Sequence, residues 1–444
     1  MRITPLEDWI KHKISGGRLA EGRLTRNEIE SYQLDKIREV VSRARKHSAF
    51  YRQHLAGLTE ANLNSLDDFA GFPFTTARDL QQSTGRFLCV SQSEINRVVT
   101  LQTSGTGGTP KRIFFTREDQ ELTIDFLKHG MSTLVGAGDR VLILLPGQLP
   151  GSVGDLLLTA LQRLGVVGIP HGLVQDARKT LEVICTQEVT ALVGIPTQVL
   201  ALARCSEPGN RSEPVKIKNV LLSTDHVPAA IVRELNNTWG CRVFNHYGMT
   251  EMGLGGGVEC QALDGYHLRE ADLYFEIVDP AGGLPVPDGE PGEVVFTTLT
   301  RRGMPLIRYR TGDVAYFIPE PCPCGTVLKR MARVKERLAG RIHLGGEIYL
   351  SMADLDEALF PLEGLLDFRA ALQPGNILQV QIKTARWAGP DIVTSARRAI
   401  EDIKVIRKAR TEAKLVVAPV VLWKDNTRSG AGKRMIADMR QPVG

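Results

Sequence analysis

No uncharged apolar run in this chain of 444 residues reaches the ~18 residues that a membrane span requires, so no spanning segment is expected. The opening stretch, MRITPLEDWIKHK, has no apolar h-region, and no secretory signal is expected. Aromatic residues make up only 6% of the chain and the net charge is only +5. Long basic tracts interleaved with aromatics are absent, which argues against nucleic acid as a partner. Cysteine is sparse, and its count of seven is odd. That argues against a secreted disulfide framework and for the cytoplasm. Internal repeats and low-complexity segments are also missing. One further absence concerns phosphate binding. The stretch LQTSGTGGTPKR, Leu101 to Arg112, is crowded with Gly, Ser and Thr and ends in cations. A Walker A loop needs Gly directly before its Lys. Here Pro110 precedes Lys111, so that loop is excluded.

What is present is ordinary soluble composition, with 43% hydrophobic and 24% charged residues. The length suits two or three domains of roughly 100–200 residues. Residues 28–56 carry Leu34, Ile37, Val40 and Val41 at helical spacing and read as one helix. After the Gly-rich loop, strand and helix patterns alternate through RVLILLP, VVGIP, TALVGIP, IKNVLLST and CRVFNHYG, which argues for parallel βαβ layers. From Leu273 the pattern changes to short strands with turns. The fold class expected is α/β: a large N-terminal domain of layered parallel sheets and helices plus a β-rich subdomain, followed by a small mobile α+β C-terminal domain. The boundaries read 1–334, with the β-rich part about 258–334, and 335–444.

Four more stretches hold more chemistry than a fold needs. NHYGMTEMG places Glu251 in a Gly-flanked loop, and IRYRTGDVA places Asp313 after Thr-Gly at a strand end. RLAGRIHLGGEIYL is basic and Gly-rich at the expected domain border, and TRSGAGKRMIADMR presents Lys433 in a polar loop. Gly, Ser and Thr amides and hydroxyls beside a Lys suit an anion such as phosphate. Cys260 and His267, with six residues between, and Cys322 and Cys324, with one residue between, offer four N/S donors for a structural zinc. The other thiols, Cys89, Cys185, Cys205 and Cys241, read as core residues.

In order, TSGTGGTPK, YGMTE, RTGD and SGAGKR resemble the motifs of the adenylate-forming superfamily of acyl-CoA synthetases, adenylation domains and luciferases. The N-terminal QLDKIREVVSRARKHSAFYRQHL, then FPFTTARDL, is similar to its phenylacetate–coenzyme A ligase branch. The resemblance implies ATP-dependent activation of a carboxylic acid, aromatic or otherwise apolar, to acyl-AMP with release of pyrophosphate, then thioester formation with coenzyme A. It implies that Thr103, Ser104, Gly105, Thr106, Gly107 and Lys111 hold phosphates, that Glu251 holds Mg²⁺, and that Thr250 donates to the α-phosphate. Tyr247 then stacks on or flanks the adenine, Gly248 is a cofactor-site residue near the carboxylate of the acid, Asp313 accepts the ribose hydroxyls, and Arg337 or Arg341 serves the hinge. Lys433 serves as the catalytic cation, carried by a C-terminal domain that swivels. Pro196 and His246 are expected in the acid pocket. Two departures stand out. LLSTDHVP has Ser223 and Asp225 where the family shows Gly-Glu, and ERLAGRIHL has no acidic pair at the hinge. The alternatives are transfer of the acyl or AMP group to another nucleophile, such as an amine or a carrier-protein thiol, and a non-catalytic nucleotide-binding homologue. Some relatives in this branch carry a similar Cys/His cluster. A homodimer is left open.

Overall fold

A computed structural model describes residues 2–17, 22–101, 110–205, 215–423 and 433–440. The chain divides into two compact units. The first joins Met1–Ala137, Leu149–Val166 and Asn245–Val334; the second joins Gly138–Gln148, Val167–Phe244 and Lys335–Gly444.

In the first unit, the helix Arg26–His47 starts at a capping box in which Thr25 accepts from the amide of Glu28 and Glu28 returns the bond to the amide of Thr25. Its buried stripe runs through Ile29, Ile37, Val40, Val41 and Ala44. The single helix expected over 28–56 is two. Ser48 turns to extended backbone and its hydroxyl caps a second helix, Ala49–His54, by accepting from the amide of Tyr51. A Ser that can bond its own downstream amide favours such a break. Ile95–Leu101 and Lys111–Thr116 pair antiparallel. Strands Gly257–Glu259, Tyr266–Leu268 and Arg330–Met331 form antiparallel ladders beside the end of the strand Arg242–Tyr247. A further antiparallel set holds Leu273–Val278, Gly292–Thr298 and Tyr309–Ala315. These pack around Phe275, Phe296, Met304, Leu306 and Tyr309.

The second unit contains the expected parallel layers. Val167–Pro170, Arg140–Leu144, Ala191–Gly194 and Asn219–Leu222 lie side by side, all parallel. Leu142, Leu144, Leu192, Val220 and Leu222 on these strands are fully buried, as suits the unbroken apolar runs of parallel strands. The segment from Lys335 is the smaller α+β region. Leu365–Gln373 pairs antiparallel with Ile377–Thr384, and Ala437–Asp438 runs parallel to Leu365–Gln373. The helical pattern near 395–410 is broken at Ile403 into Ile392–Asp402 and Lys404–Thr411. Among the thiols expected in the core, Cys89 and Cys241 are buried, whereas Cys185 and Cys205 are half-buried. No described helix is long and apolar enough to cross a membrane.

Candidate active site

The strand Arg242–Tyr247 ends at Tyr247, and the chain then folds into a Gly-rich loop. Gly248 is required there: a Cβ on it would lie 2.4 Å from the carbonyl oxygen of Leu254. Gly253 closes the loop with φ +75°, a conformation that glycine adopts without strain. The loop is therefore held in one shape, with Thr250 and Glu251 in a short helical turn at its centre. We expect Gly248→Ala to destabilise the protein by about 1–3 kcal/mol through overpacking, because backbone cannot yield as a side chain does. The check is a lower urea midpoint at unchanged slope.

Glu251 is only 3% exposed. One of its carboxylate oxygens accepts from Lys111 Nζ at 2.6 Å and from the Tyr309 hydroxyl at 3.3 Å. The Arg301 guanidinium donates to the Glu251 carbonyl at 2.7 Å, and burial lowers that guanidinium to about 10. Asp313 is fully buried and accepts from the Tyr247 hydroxyl at 3.0 Å. Its own amide donates to Thr311 Oγ1, and Gly312 before it has φ +74°. Tyr309 and Asp313 stand four residues apart on the strand Tyr309–Ala315, whose register with Gly292–Thr298 shifts between Arg310 and Val314. One strand thus reaches both acids of the YGMTE and RTGD stretches: directly through Asp313, and through Tyr309 to Glu251. Lys111 is the first residue of its strand, and Thr103, Ser104, Gly105, Thr106 and Gly107 before it lie outside the described residues.

His246 is half-buried between the positions of Gly248 and Gly255, with the Phe126 ring centroid 6.2 Å away. Burial lowers its imidazole to about 4, so it is neutral at pH 7. Tyr309 and Arg301 are the residues that sequence reasoning missed in this cluster. The spacing Tyr-x-x-x-Asp in YRTGD is a signal that could have found Tyr309; nothing local marks Arg301.

The remaining candidates belong to the second unit. Pro196 is buried at the first turn of the helix Pro196–Ala203. Ser223 follows the strand Asn219–Leu222 and donates its amide to Gly194. Thr224 has φ +78°, a strained backbone for a β-branched residue and one with no sequence signal. Asp225 accepts from the amides of His226, at 2.9 Å, and Arg434, at 3.4 Å. Arg337 is half-buried, while the Arg341 guanidinium binds Glu336 with Nε at 2.9 Å from the carboxylate. Lys433 is half-buried and lines a cleft of about 580 Å³ with Arg369, Gln381 and Trp423.

A second cluster lies in the first unit. Cys260, His267, Cys322 and Cys324 are all buried, and their donor atoms lie within 4.8 Å of one another. The Cys260 and Cys322 sulfurs are 3.6 Å apart without a disulfide, and Cys324 Sγ is 3.6 Å from His267 Nε2. Zinc–sulfur bonds of about 2.3 Å in a tetrahedron imply sulfur–sulfur edges of roughly 3.8 Å. The donor set and its spacing fit zinc. Contact with Cys260 and His267 lowers the Cys324 thiol toward its thiolate, the form that binds a metal.

Comparison with known proteins adds a family, two relatives and a solved structure. Residues 58–299 match the family described as AMP-binding enzyme. The chain is 29% identical to a phenylacetate-coenzyme A ligase of Thermus thermophilus over 71% of each sequence. It is 30% identical to a phenylacetate-coenzyme A ligase of Aromatoleum evansii, over 71% of this chain and 72% of that one. A crystal structure of 2-hydroxyisobutyryl-CoA ligase with 2-HIB-AMP, in the postadenylation state, superposes with a TM-score of 0.79. That match is 22% identical and covers 94% of this chain and 91% of the other.

Proposed function

The chain belongs to the AMP-binding enzymes, as an AMP-forming acid–CoA ligase of that family, and on this premise we propose that it activates an aromatic or other apolar carboxylic acid and passes the acyl group to coenzyme A. The observation that carries the reading is the pairing of Tyr247 with Asp313 and of Lys111 and Tyr309 with Glu251. These bonds hold two buried carboxylates and a cation ready around one loop.

A carboxylate is a poor acyl donor because oxide is a bad leaving group. Attack of its oxygen on the α-phosphorus of ATP forms the acyl–phosphate bond, breaks the bond to the β-phosphate, and releases pyrophosphate. The coenzyme A thiol, losing its proton, then attacks the acyl carbon, and AMP leaves. The protein's work is positioning and charge neutralisation. Asp313, fixed by Tyr247, accepts the ribose hydroxyls. Lys111 releases Glu251 and meets the phosphates together with Thr103, Ser104, Gly105, Thr106 and Gly107. Thr250 donates to the α-phosphate, Tyr247 flanks the adenine, Gly248 is assigned to the nucleotide, and Ser223 and Asp225 are assigned to adenine binding. Glu251, a hard carboxylate that already seats an ammonium, suits Mg²⁺, which supplies charge neutralisation on the phosphates. His246 and Pro196 are assigned to the acid substrate, and a neutral His246 brings it no charge. The segment 335–444 carries Lys433 and Arg337 as a lid. The zinc cluster is structural, and the working compartment is the cytoplasm.

ATP–pyrophosphate exchange with a panel of acids that begins with phenylacetate tests the first step, and thioester detection after adding coenzyme A tests the second. Exchange without thioester for every active acid would move the second step to another nucleophile. No exchange with any acid would leave nucleotide binding alone. Within the site, Asp313→Ala should raise the ATP concentration for half-maximal exchange by roughly 10- to 100-fold, the worth of hydrogen bonds to a charged acceptor. Glu251→Gln should lower the exchange rate and raise its Mg²⁺ requirement. Unchanged ATP dependence in both variants would sink the nucleotide assignment.

A further inference from the structure

Arg434 follows Lys433 directly, yet its surroundings are unlike those of a solvated cation. Its side chain is 11% exposed. Nη2 donates to Asp356 Oδ1 at 2.5 Å, and Nε lies 3.5 Å from Asp367 Oδ1. The guanidinium also sits 5.0 Å and 4.6 Å from the ring centroids of Phe360 and Phe368. Its backbone amide donates to Asp225 Oδ2 at 3.4 Å. Three elements are tied here: the loop after Asn219–Leu222, the helix Met352–Leu359, and the strand Leu365–Gln373. A buried guanidinium held from that many directions fixes its own backbone, and with it the residue next door.

We propose that Arg434 is a positioning residue for adenylation: clamped by Asp356, Asp367 and Asp225, it sets the place of Lys433. The proposal rests on the reading of Lys433 as the cation of that step. Asp356 is the member that titrates. Burial and the neighbouring Asp225 push its carboxyl up to about 7, against the pull of Arg434 and His226. The other charged groups around it are Asp367, bound to the same guanidinium, and Glu357, paired with His226 at 3.2 Å. Lys433 acts on Asp225, and Lys335 acts on Glu357. Protonated Asp356 loses the charge that holds Arg434, so the clamp is firm above pH 7 and loosens below it. The effect on folding runs the other way. A carboxyl raised in the fold opposes folding once ionised; that penalty is absent below its ordinary value of 3.8 and full above about 7. Asp356→Asn removes the penalty and leaves Asp367 to Arg434, so its melting temperature should stay near the wild type at pH 8.

The test uses the full chain with Asp356→Asn, Arg434→Gln, Arg434→Lys and Lys433→Ala. Hydrogen exchange of the peptide covering 433–440 needs no acid substrate. It should speed up at least tenfold in Asp356→Asn and Arg434→Gln at pH 8. Unchanged protection in both overturns the clamp. ATP–pyrophosphate exchange with phenylacetate, or with the best acid of the panel, should fall tens-fold in maximal rate in Arg434→Gln. The ATP dependence should be unchanged, and Arg434→Lys should recover part of the rate. The wild type should lose rate below about pH 7, and Asp356→Asn should lack that limb. A wild-type pH profile and rate in Asp356→Asn overturns the proposal. Lys433→Ala at the wild-type rate removes the reading of Lys433 and the positioning role with it. A dead Lys433→Ala beside a fully active Arg434→Gln overturns the positioning role alone.

Discussion

Lys433→Ala should lower acyl-AMP formation by about 10²–10³-fold, the loss expected when one preorganised charge is removed from a transition state. When the acid attacks ATP, negative charge from a carboxylate and a phosphate must share a small space. A cation there neutralises both, and it does so most strongly where water is scarce. Lys433 is half-buried, borders a cleft and is followed by a residue anchored on both side chain and backbone. Lys433 is half-buried rather than a packed core residue, so the melting temperature should hold. Lys433→Arg should recover little, because a planar guanidinium does not replace a compact ammonium at a fixed distance. Pyrophosphate exchange measures the effect, and a wild-type rate in Lys433→Ala would remove the assignment.

The second large effect is expected at the thiol cluster. Protein purified without added zinc should hold about one equivalent, and Cys322→Ser/Cys324→Ser should hold none. The double variant should melt roughly 10 °C or more below the wild type, since metal binding to a site absent from the unfolded chain is folding free energy. The reason is local. His267 lies in the strand Tyr266–Leu268, and Cys260 directly follows the strand Gly257–Glu259, so the ligands join two short ladders. Cys322 and Cys324 close the same knot from a turn bent at Gly325, where φ is +81°. Strands of three residues have few hydrogen bonds of their own, and a four-donor knot supplies what they lack. Metal content and melting temperature unchanged in the double variant would refute the site.

The Cys/His quartet was legible because its donors are rare residue types in two pairs, and chance seldom places Cys and His so. The parallel layers were legible for a similar reason: VLIL, ALVG and NVLL are strand-length apolar runs, and helical patterns separate them. The chain turns beside Glu251 and Asp313 were legible because Gly neighbours mark places that take unusual backbone angles. Breaks inside helical patterns were not. Ser48 and Ile403 sit within good periodicity, and capping or packing ended the helices there.

Tertiary contacts alone settled who touches whom. Tyr309 meets Glu251 across 58 residues, and Arg301 reaches the Glu251 carbonyl across 50. Arg434 reaches Asp356 across 78 residues and Asp225 across 209. Periodicity reports which face of an element is apolar, and turn chemistry reports where it stops. Neither records which distant carboxylate a buried guanidinium will find, because that choice is made by the close packing of the whole core around an ion that burial forbids to stand alone.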